Sequence, residues 1–226
     1  MLFIFDMGGV VSGNVETLPA MAKRLGLSGP DFLAFCGVDP DEPPETRYER
    51  GSIAQIQAGK MDDRTFWAEF RVRATALLGT QHPAIDRIRS VTAREDPWVT
   101  AFNPAPIPDT RAVIEELKNN GHRVVCGTNT LEAHFRAHQR MGDYAGFHRV
   151  YASHQMGLIK PDHAFWEAIL TQEGADPSHA AFIDDNPVNV TAAAALGLIA
   201  FRYENPGKLR EDLAPWLDLR CRETGS

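Results

Sequence analysis

Four short stretches of the chain set residues able to do chemistry at or shortly after the ends of apolar runs. Asp6 follows Leu2-Phe3-Ile4-Phe5 and precedes Met7-Gly8-Gly9. Gly127-Thr128-Asn129 follows Arg123 to Cys126, and Lys160 comes a few residues after Val150-Tyr151-Ala152. Asp184-Asp185-Asn186 follows Ala181 to Ile183. Carboxylates brought together repel one another and need a cation. Oxygen ligands of this kind suit Mg2+, which keeps several waters and binds through one or two carboxylates plus phosphate. Lys160 adds a fixed positive charge for a phosphoryl oxygen. Thr128 has a hydroxyl to donate, and Asp6, beside a glycine turn, is free to attack in line. The combination points to phosphoryl transfer onto an aspartate, aided by a metal and a lysine.

For these residues to meet, the elements that carry them must share one rim. Leu2 to Phe5 reads as a buried strand ending at Asp6. Residues 15 to about 92 carry helix-like patterns separated by breakers such as Gly26, Gly29-Pro30 and the Asp39 to Pro44 cluster. The clearest of these helices is Asp62 to Leu78, with Phe66, Phe70, Ala74, Leu77 and Leu78 on one face, expected to be core. After a proline-rich stretch, Pro108-Asp109 opens a helix that ends before Gly121. Strand and helix then alternate: Arg123 to Cys126, a helix from Leu131 to Gln139, Val150 to Ala152, and a helix with Pro161 as its first residue. Ala181 to Ile183, the helix Pro187 to Leu196 and the strand Leu198 to Phe201 complete the pattern. This alternation predicts an α/β fold, a Rossmann-like parallel sheet flanked by helices. Such sheets bind ligands at the carboxyl ends of their strands, where the four stretches fall.

Composition narrows the partners. The 226 residues carry a formal net charge of −7, with 43% apolar and 23% charged residues. That is a globular chain with enough length to bury a core. The acidic balance argues against a nucleic-acid binder. Cys36, Cys126 and Cys221 form no C-x-x-C pair, so neither a disulfide framework nor a zinc site is indicated. The first apolar run lacks a basic n-region, and the longest later one, Ala192 to Phe201, is about half of a membrane span. The expectation is a cytoplasmic protein with no membrane partner. Nothing in the sequence fixes an oligomeric state, and the tail after about Trp216 is expected to fray.

The four stretches FDMGGVV (5–11), VVCGTNT (124–130), GLIKP (157–161) and FIDDNPVNV (182–190) occur in the order of four family motifs. The sequence resembles the haloacid dehalogenase-like hydrolase superfamily over residues 5 to 190. The resemblance implies that Asp6 is the nucleophile forming an aspartyl-phosphate. Thr128 would hydrogen-bond the phosphoryl group, helped by the backbone of Asn129. Lys160 would orient Asp6 and neutralise the transferring group. Asp185 would ligate Mg2+ with Asp6 and the main-chain carbonyl of Gly8. Asp184 would be a neighbouring carboxylate, and Asn189, four residues after Asp185, an anchor behind it. Residues 1–14 and 93–226 would form the catalytic core, and 15–92 a helical cap inserted after the first strand. The implied activity is a Mg2+-dependent phosphatase of a small phosphorylated metabolite.

One position departs from the family pattern. Most phosphatases of this superfamily carry a second Asp two residues after the nucleophile, which protonates the leaving group and activates water. Here that residue is Gly8. The metal role of the position survives through its carbonyl; the proton-transfer role does not. The shape D-x-G-x-V is similar to a branch that includes sugar-phosphate phosphatases, so a sugar phosphate is one candidate substrate. Two alternatives stand beside this reading. One is a catalytically weak relative that binds a phosphorylated ligand or a protein. The other is a dehalogenase, which would also use an aspartate nucleophile. That branch usually has Tyr at the Gly8 position and a Gly-Thr-Leu continuation, both absent here.

Taken singly, each residue has an ordinary reading: a loop aspartate, a strand-end threonine, a solvated lysine, a helix cap at Asp184-Asp185-Asn186. Their joint order at four strand ends is what favours a site. His134 and His138 are spaced for a metal, but Phe135 stands where a zinc-protease motif has Glu, so both are expected to be solvated or capping. Of Arg47, Arg50, Lys60, Arg64, Arg71 and Arg73, one or two are expected to meet the substrate.

Overall fold

A computed structural model of the chain describes residues 1–15 and 17–217. The tail expected to fray, and Cys221 with it, lies largely outside the described residues. The described residues form seven strands: β1 (Leu2–Phe5), β2 (Ser12–Gly13), β3 (Ala105–Pro106), β4 (Arg123–Thr128), β5 (Arg149–Ala152), β6 (Ala180–Asp184) and β7 (Ile199–Arg202). Five make a sheet in the order β5-β4-β1-β6-β7, every pairing parallel. Leu2 lies opposite both Arg123 and Ala180, so β1 is central. A parallel sheet covered on both faces needs strands that are apolar throughout. Leu2 to Phe5 meets that requirement, each residue at most 4% exposed.

The helices between the small strands are α1 (Thr17–Leu25), α2 (Gly29–Phe35), α3 (Gly51–Gln57), α4 (Asp63–Leu78), α5 (Pro83–Arg94) and α6 (Pro97–Thr100). Those of the sheet region are α7 (Pro108–Asn119), α8 (Glu132–Met141), α9 (Ser153–Met156), α10 (His163–Glu173), α11 (Pro187–Ala195), α12 (Pro206–Asp212) and α13 (Ala214–Leu217). Alternation along the strands sorts the core into two layers. Phe3, Phe5, Val124 and Cys126 pack with Val113, Ile114 and Leu117 of α7 and with Leu209 and Leu213. Leu2, Ile4, Val125 and Phe182 pack with Phe165, Trp166 and Ile169 of α10. Burying each such side chain contributes roughly 1.5–3 kcal/mol.

The helical segment from α1 to α6 has its own core. Phe32, Phe35, Phe66 and Phe70 lie at its centre, with Trp98 and Leu131 joining it. It leaves and returns at one place, because β2 and β3 pair antiparallel with Ser12 opposite Pro106 and Gly13 opposite Ala105. Helix α5 continues through residue 92 to Arg94.

Several local expectations need correction. Helix α4 starts one residue later than expected, because the Asp62 side chain caps it by accepting from Thr65 N at 2.7 Å. Its stripe of Phe66, Phe70 and Ala74 is buried, but Leu77 is 67% exposed. It sits in the last turn before Gly79, where Leu78 packs on the core instead. Pro161 does not open α10: Asp162 accepts from Ala164 N and the helix begins at His163, leaving Pro161 outside after a cis Lys160–Pro161 bond. Neither His134 nor His138 is freely solvated: His134 is half-buried and His138 buried. His138 is 4% exposed and held by Asp143 Oδ2 at 2.6 Å. His134 stacks on Phe102 at 3.8 Å with Nε2 3.0 Å from Trp98 O.

Candidate active site

The carboxyl ends of β1, β4 and β6 are neighbours in the sheet, and this brings the separate stretches together. Asp6 leaves β1 with its amide donating to Ile183 O at 2.9 Å, which ties it to the end of β6. Thr128 closes β4 and is buried. Asp184 is the last residue of β6, fully buried, and Asp185 follows it exposed. Asn186 then caps α11 by accepting from Val188 N at 2.9 Å, with Pro187 in the first helical position.

Lys160 is the centre of the arrangement. Its Nζ lies 2.9 Å from Asp6 Oδ1 and 2.7 Å from Asp184 Oδ2, and the side chain is 1% exposed. A buried ammonium loses its hydration and is tolerated only when paired. Burial acts to discharge it, and the attraction of Asp184 and Asp6 outweighs burial, holding Lys160 above its ordinary range. The loop carrying it is clamped reciprocally: Asn129 Nδ2 donates to Lys160 O at 2.9 Å, and Lys160 N donates to Asn129 Oδ1 at 2.8 Å. The Asn129 side chain therefore serves Lys160, while its main-chain carbonyl accepts from the Thr128 hydroxyl at 3.5 Å. Asp184 is fixed from three sides, since Asn186 N donates to its Oδ1 at 2.8 Å and Asn189 Nδ2 to its Oδ2 at 3.0 Å. Asn189 thus anchors Asp184 and not Asp185.

Ligand oxygens of Asp6, Asp184 and Asp185 lie within 4.8 Å of one another. Burial raises Asp6, the neighbouring Asp184 and Asp185 add to it, and Lys160 opposes; the net effect pushes its pKa up to about 7. Asp185 is raised as well, by the hydration its carboxyl loses where it lines the cavity and by Asp184. Three carboxylates against one ammonium leave negative charge to be neutralised, and the donors are all oxygen. The residues present therefore fit Mg2+.

The site floors a cavity of about 810 Å3. Its lining includes Asp6, Gly8, Lys160, Asp184 and Asp185 together with the apolar residues Val15, Leu18, Leu27, Phe32, Trp98 and Phe102. Arg47, Tyr48 and Glu49 form part of its wall. Of the basic residues singled out in the helical region, Arg47 alone lines it; Arg73 is bound to Glu69 and to Phe35 O, and Arg50 pairs with Glu42. Glu49 was not singled out from the sequence. It lies in a short 3-10 turn, Arg47–Glu49, with no amphipathic period to mark which side faces the site.

A family model described as haloacid dehalogenase-like hydrolase matches residues 1–197. A sesquiterpene phosphatase of Aspergillus oryzae is 32% identical over 116 residues, which is 50% of this chain and 56% of that protein. The match thus spans little more than half the length of that relative. Among solved structures, a HAD-like family hydrolase from Porphyromonas gingivalis aligns over 99% of this chain and 98% of that one, with a TM-score of 0.64 and 21% identity. A HAD family enzyme from Bacteroides thetaiotaomicron, in complex with magnesium and inorganic phosphate, aligns over 90% of this chain and 94% of that one, at TM-score 0.58 and 20% identity. At these identities the two structures speak for a shared fold.

Proposed function

Since the chain belongs to the haloacid dehalogenase-like hydrolase family, we propose that it is a phosphatase cleaving a small phosphorylated molecule through an aspartyl-phosphate on Asp6. The observation that carries this reading is the Lys160 ammonium held between Asp6 and Asp184, beside Asp185, on the floor of a cavity. A carboxylate oxygen of Asp6 attacks phosphorus and the bond to the alcohol oxygen breaks. Water then attacks the same phosphorus, releasing inorganic phosphate and restoring the carboxylate. Lys160 keeps Asp6 oriented and offsets the charge of the incoming phosphoryl group. The Thr128 hydroxyl and the Asn129 main chain hold phosphoryl oxygens. Asp6, Asp185 and the carbonyl of Gly8 would hold Mg2+, which when bound neutralises phosphoryl charge. Asp184 and Asn189 fix Lys160 and the loop at the end of β6. The helical segment, expected over 15–92, is read as a cap that closes the site against bulk water.

The apolar residues of the cavity wall favour an alcohol with an apolar body over a polyhydroxylated sugar. Hydroxyls facing Leu18, Leu27 and Phe32 would lose water without gaining partners. The resemblance to a sesquiterpene phosphatase points the same way.

The deciding experiment is hydrolysis of 4-nitrophenyl phosphate by the wild type and by Asp6→Asn, with Mg2+ and with EDTA. Activity that needs both Asp6 and Mg2+ is expected. Inactivity of a folded wild type overturns the reading, and Asp6-dependent release of halide from a haloacid without metal replaces it with dehalogenation. Comparing a prenyl monophosphate with a hexose phosphate then tests the alcohol; a lower KM for the hexose phosphate would reject the apolar body.

A further inference from the structure

We propose that Glu49, brought into the cavity by the helical segment, is the general acid and base of this site, and this rests on the phosphatase reading above. The position two residues after Asp6 is Gly8, and a β-carbon there would meet Val15 Cγ2 at 3.3 Å. The space a second aspartate would enter is therefore bordered by an aliphatic side chain.

Most of the acidic and imidazole groups that share the cavity wall with Glu49 are engaged elsewhere. Asp6 is the nucleophile and Asp185 a cation ligand in that reading. Asp184 accepts from Lys160, Asn189 and the Asn186 amide. His134 Nε2 is engaged with Trp98 O, and His138 is held by Asp143. Glu45 is exposed, and its main-chain carbonyl is tied to the rim by Asn186 Nδ2. Glu49 is half-buried, and its carboxylate makes no hydrogen bond or ion pair among the described residues.

Its segment is pinned over the rim at both sides. Asn186 Nδ2, one residue after Asp185, donates to Glu45 O at 2.8 Å. Gln57 Nε2 donates to Tyr48 O at 3.1 Å. The field at Glu49 combines groups from the helical segment and from the sheet. Burial raises its pKa, Arg50 and Lys160 lower it, Glu42 and Asp184 raise it, and the balance pushes it up to about 7. A carboxyl group so poised holds a proton in part of the population near neutrality and can both give and take one.

In the first step an Asp6 oxygen bonds to phosphorus, the ester P–O bond breaks, and the Glu49 proton passes to the departing alkoxide oxygen. The products are the alcohol, the aspartyl-phosphate and the Glu49 carboxylate. In the second step that carboxylate takes a proton from water as the water oxygen bonds to phosphorus. The bond from phosphorus to Asp6 breaks, and inorganic phosphate, the Asp6 carboxylate and protonated Glu49 result.

The test is Glu49→Gln against two esters, 4-nitrophenyl phosphate and an alkyl phosphate, by steady-state and rapid-mixing kinetics. Nitrophenolate leaves without a proton, whereas an alkoxide does not. The expected result is a loss of about 10²–10⁴ in kcat on the alkyl ester. On the nitrophenyl ester a burst of nitrophenolate, one per active site, should precede slow turnover as the aspartyl-phosphate accumulates. Equal losses on both esters without a burst, unchanged rates on both, or a change in KM alone would overturn the assignment. Far-UV circular dichroism and melting temperature identify a folding failure, and Glu49→Asp, which keeps the carboxyl, should recover part of the alkyl-ester rate. An active wild type that needs Asp6, with Glu49→Gln unaffected, removes Glu49 alone. An inactive wild type removes the phosphatase reading and this inference together.

Discussion

A β-carbon on Gly9 would lie 2.3 Å from Asp185 Oδ2, so the turn after β1 packs directly against the Asp185 carboxylate. Gly9 also has φ +77°, which costs an L residue about 1–2 kcal/mol. Gly9→Ala would push the Asp185 carboxylate aside. The expected result is a 10–100-fold weaker Mg2+ affinity, the scale seen when ligand positioning is disturbed. It is read as the Mg2+ concentration giving half-maximal phosphatase rate. An unchanged Mg2+ dependence would show that Asp185 is not held by this contact.

Lys160→Met should be destabilising as well as inactive. It leaves Asp6 and Asp184 facing each other in a buried site without the ammonium that pairs them. Removing one partner of a buried pair typically costs about 3–5 kcal/mol. Urea denaturation at pH 7.5 in EDTA measures this. A loss below about 1 kcal/mol would mean that the carboxylates neutralise themselves by taking up protons.

Part of this site was legible because its carboxylates directly follow short apolar runs, and parallel strands deliver their carboxyl ends to one rim. Asp6, Asp184 and Asp185 could be gathered on that ground, and they meet with Lys160; Thr128, gathered with them, is buried at the end of β4 and does not line the cavity. The side-chain clamp of Asn129 on the Lys160 backbone was not legible, since it depends on two loops 31 residues apart meeting. Glu49 was hidden for a similar reason: an irregular turn carries no period that marks its inward side. The partial burial of His134 was missed because Phe102 and Trp98, which pack on it, come from a distant segment. Helix existence followed from pattern, whereas boundaries at Asp62 and Asp162 depended on which side chain bonds a free amide.

That packing makes His134 a source of acid sensitivity. Burial holds its pKa down to about 3, against 6.5 in an unfolded chain. Between those values the unfolded state binds a proton that the folded state refuses. The stabilising contribution is therefore complete above pH 6.5 and is lost as pH falls toward 3. From pH 7.5 to 5 it amounts to about 2 kcal/mol. Denaturant titrations at both pH values should show the wild type losing about 2 kcal/mol more than His134→Gln. Equal losses would mean that the imidazole is protonated in the folded protein.

Two residues on α4 separate packing from pattern. Phe70 and Leu77 both fit the apolar face, yet Phe70 is fully buried and Leu77 is 67% exposed. Phe70 meets Phe32 at 5.0 Å and stands edge-on to Phe35 at 5.5 Å between ring centroids. Deleting it leaves a hole among aromatic rings that cannot close without moving α2. Phe70→Ala should therefore cost about 3–5 kcal/mol, in line with large-to-small changes in cores. Leu77→Ala removes a side chain that already faces water and should fall within about 0.5 kcal/mol of the wild type. Comparable losses at the two positions, measured by denaturant midpoint with unchanged slope, would mean that Leu77 is covered in solution.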